Sequence, residues 1–165
     1  RKTEIKTHNA MKVDKTIKIE DITHDDLVNL FSTALYGSTY LDADYPEGDY
    51  YNPDDDCYED RIAKALLNGF SIDVIDTYSE GCVHGNLPHK IDEETEDVSY
   101  KITLADIKKG LEKAGSGKFK INFDGEEVFA RKAFEAFVDE DATDFDLVYA
   151  DGLMQIIVFN EIIYG

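Results

Sequence analysis

Val98-Ser-Tyr-Lys-Ile-Thr-Leu-Ala-Asp-Ile-Lys-Lys-Gly-Leu111 decides the fold class, because it runs from a strand into a helix with no linker between them. Residues 98–103 read as strand. From 104 to 114 the apolar positions Leu104, Ile107 and Leu111 fall on one helical face, and Gly115-Ser-Gly117 ends the run. Upstream, Phe70, Ile72, Val74 and Ile75 read as a second strand. Residues 79–97 between them hold Gly81, Gly85, Pro88 and several acids without apolar periodicity, which predicts a hairpin excursion and antiparallel pairing of the two strands.

Working outward, Thr16-Ile-Lys-Ile19 alternates as a half-buried strand, and Thr23 offers a capping hydroxyl to a helix carrying Leu27, Leu30, Phe31, Ala34 and Leu35. Ile22 and Leu27 occupy staple positions, and Gly37 stands where a terminator belongs. Residues 58–68 form a second helical pattern closed by Asn68-Gly69, and residues 126–138 a further one on Val128, Phe129, Ala133, Phe134 and Phe137. Residues 118–123 suit one more short strand, and 139–146 an acidic loop. Residues 147–164 are the most apolar part of the chain and satisfy neither period cleanly. The pattern predicts a single α+β domain: an antiparallel sheet of three or four strands, with about four helices packed mainly on one face. Met11-Lys-Val reads as a start, so residues 1–11 are expected to be a non-native remnant or an N-terminal extension, and 12–165 the acidic domain.

Charge narrows the function classes. The chain has 36 acidic and 17 basic residues, a net of -19, while hydrophobic residues at 42% and aromatics at 12% argue for a folded rather than a disordered chain. Direct binding to nucleic acid or to an anionic bilayer is disfavoured, since both require a positive footprint. No apolar run reaches membrane-spanning length, no secretory leader is visible, and the two cysteines, Cys57 and Cys82, are too few for a disulfide scaffold. A cytoplasmic location with reduced thiols is the expectation.

The acids concentrate. Residues 36–60 hold nine Asp or Glu and six Tyr with no Lys or Arg. Carboxylates crowded in this way repel one another, so a folded protein that keeps them is under some pressure other than stability. In extended chain, side chains two apart share a face at roughly 6.6 Å, about two phosphate rises along a DNA strand. Asp42, Asp44, Asp49, Asp54, Asp55 and Asp56 are therefore candidates to stand in for phosphates, with Tyr45, Tyr50 and Tyr51 as rigid amphipathic anchors. The partner implied is a basic protein, one that itself binds nucleic acid. A solvated loop serving solubility is the competing reading.

No catalytic signature competes: there is no Gly-x-Ser-x-Gly, phosphate loop, dinucleotide fingerprint or His-Glu-x-x-His. Asp139-x-Asp141-x-Thr143 begins like a calcium loop but fails at its sixth and twelfth positions, Asp144 and Ala150. Cys82, His84 and His89 are irregularly spaced for a zinc site. The expectation is a non-enzymatic protein without metal or cofactor.

Thr33-Ala-Leu-Tyr-Gly-Ser38, Ala65-Leu-Leu-Asn-Gly69, Leu104-Ala-Asp-Ile-Lys-Lys-Gly-Leu111 and Phe159-Asn-Glu-Ile-Ile-Tyr-Gly165 together resemble small acidic proteins encoded by bacteriophages and bacterial mobile elements. The chain departs from their pattern at Ser38-Thr-Tyr-Leu41, where they have a glycine pair and an aromatic, and in the length of its acidic insert. The resemblance implies provenance and raises a counter-defence role: an inhibitor that mimics DNA toward a host nucleic-acid-binding system. The alternative is an oligomeric structural or adaptor protein that self-associates through the apolar residues 153–164, its acids serving solubility alone.

Overall fold

The computed structural model of the chain describes residues 19, 21–37, 40–44, 57–139 and 145–165. Five helices and four strands lie among them, in the order α1 (His24–Gly37), β1 (Leu41–Asp44), α2 (Tyr58–Leu67), β2 (Ile72–Asp76), β3 (His89–Ile91), β4 (Val98–Ile102), α3 (Leu104–Ser116), α4 (Glu126–Val138) and α5 (Leu147–Phe159). The strands form one antiparallel sheet in the order β1-β2-β4-β3. The fold is α+β, as the strand and helix periods predict.

Reciprocal caps start two helices. The Thr23 hydroxyl accepts from Asp26 N while the Asp26 carboxylate accepts from Thr23 N, at 3.1 and 3.0 Å, and Thr103 and Asp106 repeat the arrangement ahead of α3. Gly117 closes α3 in the left-handed conformation, at φ 72°, that its missing side chain permits.

Burial follows the period of two along the sheet. Leu41 and Ala43, Ile72, Val74 and Asp76, and Val98, Tyr100 and Ile102 point into the core, while their alternates face outward. The helices fill the space behind that inner face. At their centre is α5, which packs against α1, α3 and α4. Every residue from Gly152 to Phe159 is buried, and a helix enclosed on all sides has no polar stripe to reveal its period. That is why residues 147–164 satisfy no template in the sequence. Of the residues to which the oligomerising alternative points, Leu153, Met154, Ile156, Ile157, Val158 and Phe159 belong to the domain's own core, while Ile162, Ile163 and Tyr164 stay partly exposed.

One expectation is corrected. Residues 118–123 form no strand; a single parallel bridge joins Lys120 to Glu161, and Ile121 and Phe123 remain exposed. β2 and β4 pair antiparallel across the excursion at 79–97, as expected, and the excursion itself adds β3, three residues long, paired to β4. The expected strand at 16–19 lies outside the described residues except for Ile19, which is buried and donates its N–H to Glu112 Oε1 at 2.8 Å. Of the loop at 139–146, residues 140–144 lie outside as well.

Candidate interaction surface

Asp42 and Asp44 sit on β1, an outermost strand of the sheet, and both are exposed while Leu41 and Ala43 turn inward. The backbone thus gives the two carboxylates one face, with the same-side spacing expected of extended chain. Register then decides what surrounds them. Asp44 lies opposite Asp73 on β2, and Asp73 lies opposite Lys101 on β4. Asp42 lies opposite Ile75, which lies opposite Ser99 and then Lys90. The outer face therefore grades from acidic at β1 to basic at β4 and β3. Adjacent strands are about 4.8 Å apart, so Lys101 is roughly 10 Å from the Asp44 position, near a Debye length at physiological salt. Its screening of the acidic edge is weak.

Tyr45, Asp49, Tyr50, Tyr51, Asp54, Asp55 and Asp56 lie outside the described residues. Other tyrosines, which sequence reasoning did not single out, surround β1. The Tyr58 hydroxyl donates to the Ala43 carbonyl and lies 3.5 Å from Asp44 Oδ1. Tyr40, just before β1, stacks on Tyr164 with ring centroids 5.1 Å apart and planes 14° off parallel, and meets Tyr78 edge-on at 5.3 Å. The Tyr40 carbonyl accepts from both the amide and the hydroxyl of Thr77, which locks the start of β1 to the end of β2.

Beneath this stack is Asp76, 0% exposed. Its carboxylate accepts from the Tyr164 hydroxyl at 2.8 Å and from Tyr78 N at 3.0 Å. Burial pushes the Asp76 carboxyl above its ordinary pKa despite those two donors, and burial together with the Asp76 charge raises the Tyr164 phenol. Gln155, buried on α5, holds the tail that delivers Tyr164: its Oε1 accepts from Ile163 N and Tyr164 N at 2.8 and 2.9 Å, and its Nε2 donates to the Tyr164 carbonyl at 3.0 Å. The tyrosine stack is thus anchored from below by a carboxylate and from behind by an amide.

The cavities lined by Gly110 and Lys113, by His89 and Lys101, and by Phe129 and Gly152 do not include Asp76 in their walls. A hydrogen bond to Glu59 raises the Cys57 thiol, which makes it a poorer nucleophile. Cys57 and Cys82 are both free thiols. His84, one of the three residues irregularly spaced for zinc, sets its ring edge-on to Phe159 at 5.7 Å and donates its backbone N–H to the Tyr100 hydroxyl. Among the described residues no three or more His, Cys, Asp or Glu side chains converge to hold a metal ion, and no helix is long and apolar enough to cross a membrane.

No protein-family model, curated protein or solved structure matches the chain.

Proposed function

We propose that this chain is a non-enzymatic inhibitor whose acidic, tyrosine-rich surface occupies the basic groove of a cytoplasmic nucleic-acid-handling protein, in the manner of a DNA mimic. The observation that carries the reading is the pair Asp42 and Asp44, held outward on an edge strand beside Asp73 and flanked by tyrosines whose positions are fixed from below. Carboxylates held about two phosphate rises apart give a basic groove charge of the sign it is built to bind, and rings that are already ordered lose little entropy on docking. The acids at 54–56 extend the same uncompensated charge along the chain. The resemblance to small proteins of phages and mobile elements favours a bacterial defence nuclease as the target.

Association with such a partner is steered and salt-sensitive. The test is affinity capture from a bacterial lysate at low salt, with the wild-type chain set against Asp42→Lys/Asp44→Lys and against a triple charge reversal at Asp54, Asp55 and Asp56. A basic nucleic-acid-binding protein is expected on the wild type, displaced by duplex DNA and by salt, and depleted on both variants. Capture that duplex DNA does not compete, or that both variants retain at wild-type affinity, rejects the proposal.

A further inference from the structure

A groove of about 370 Å3 that Tyr164 helps to line falls within the ~300–1,000 Å3 range of ligand sites. Phe123, Phe129, Val148 and Ile162 supply its apolar surface. Phe123 is 71% and Val148 61% exposed, values that isolated packing does not explain for two bulky apolar side chains facing one cavity. Asp124, Glu126 and Asp151 share the lining, and no Lys or Arg does. The floor is rigid: a side-chain carbon at Gly152 would stand 2.7 Å from the Phe129 ring, so the ring abuts the bare α5 backbone.

We infer that this groove is a second docking site, for a segment of the partner protein that carries one bulky apolar side chain flanked by Lys or Arg. The apolar walls call for the central side chain, and the acids in the lining, exposed Asp124 foremost, for its neighbours. A second copy of this chain is a poor occupant, because each copy would bring a net charge of -19 to an acidic rim. Tyr164 belongs both to the groove lining and to the stack on Tyr40 beside β1, so the groove and the acidic strand share a residue and a single basic partner can reach both. In naming that partner's second contact, the inference rests on the proposed function.

The probe is a capped Arg-Leu-Arg tripeptide, titrated into the full-length 15N-labelled protein at low salt beside capped Gln-Leu-Gln. Saturable shifts are expected at residues 121–129, 147–152 and 162–164, with the charged peptide at least ten-fold tighter. Because Phe123 and Val148 are exposed, Phe123→Ser/Val148→Ser should leave the spectrum folded and weaken the charged peptide about ten-fold. Shifts confined to β1, equal affinity for the two peptides, or unchanged affinity in the serine variant would overturn the site. Concentration-dependent dimerisation abolished by the serine variant would instead assign the groove to a second copy. Groove binding that survives Asp42→Lys/Asp44→Lys while lysate capture fails for every variant supports the groove and removes only the functional reading; capture that persists while the peptide ignores the groove does the reverse.

Discussion

Replacing Tyr164 with Phe removes one hydroxyl from a buried carboxylate and leaves the ring in place. Asp76 is 0% exposed and holds the Tyr164 hydroxyl at 2.8 Å and the Tyr78 amide at 3.0 Å, so the variant strips one of two donors from a group that water does not reach. Hydrogen bonds to charged groups contribute roughly 1.5–3 kcal/mol, and the stack on Tyr40 survives, which puts the loss at about 2 kcal/mol at pH 8. At about 2–4 °C per kcal/mol for a domain of this size, the melting temperature falls by about 4–8 °C. Burial raises the Asp76 pKa in the folded state, so this carboxyl's contribution to stability is fully present below its unfolded-state value and is lost as pH rises through the folded-state value. The missing hydroxyl also removes an interaction that held the pKa down. The variant's deficit should therefore shrink as pH falls through the Asp76 titration, and urea melts across pH measure it. The Asp76→Asn background supplies the cycle, since with no charge to stabilise there the same Tyr164→Phe change should cost under about 1 kcal/mol. A deficit below about 0.5 kcal/mol at pH 8, or one that is equal in both backgrounds and flat with pH, refutes the anchoring role of Asp76.

Gly110→Ala would place a side-chain carbon 2.6 Å from Ile157 Cα, a backbone atom that cannot rotate away, and should cost about 1–3 kcal/mol in a thermal melt. Thr103→Ala removes the capping hydroxyl of α3 and should cost about 1 kcal/mol by urea titration. Gln155→Ala takes the acceptor from the Ile163 and Tyr164 amides, whose hydrogen exchange should speed up at least about ten-fold while that of β2 and β4 stays unchanged. Asp42→Asn with Asp44→Asn should leave the mass by light scattering equal to that of the wild type while weakening partner capture; new self-association instead would assign these aspartates to guarding a sheet edge.

What the sequence made legible was local. Thr23 announces its helix because a cap and its partner lie three residues apart, whereas Thr103, the cap of α3, was hidden at the end of a strand pattern; β2 and β4 announce themselves because alternation needs only five. β1 and β3, four and three residues long, are too short to carry a period of two, and the aspartates of β1 looked like loop. The Tyr164 to Asp76 bond joins residues 88 apart, so nothing near either position forecasts it. In the strand pattern Asp76 occupies an ordinary apolar slot. The one available signal was that an acid stood at a buried period of β2, where a charge requires a partner. The tyrosines expected as anchors followed composition, whereas those found beside β1 follow topology: Tyr40 and Tyr78 flank the ends of paired strands, and Tyr164 arrives on a tail held by Gln155.

The strongest competing account of Asp42 and Asp44 is that charges on an edge strand prevent sheet-to-sheet pairing. That account explains a charge but not its sign. Lysine is the more usual edge guard, and β3 at the opposite edge carries Lys90. On β1 a lysine at position 44 would stand opposite Asp73 and gain a cross-strand partner; aspartate there sets like charges against each other and suits a strand poorly. The chain accepts repulsion and low strand propensity at a position where the other sign would guard the edge as well and stabilise the sheet. Edge guarding alone therefore does not account for aspartate at position 44, and the negative potential at this edge is what the proposed cationic partner would use.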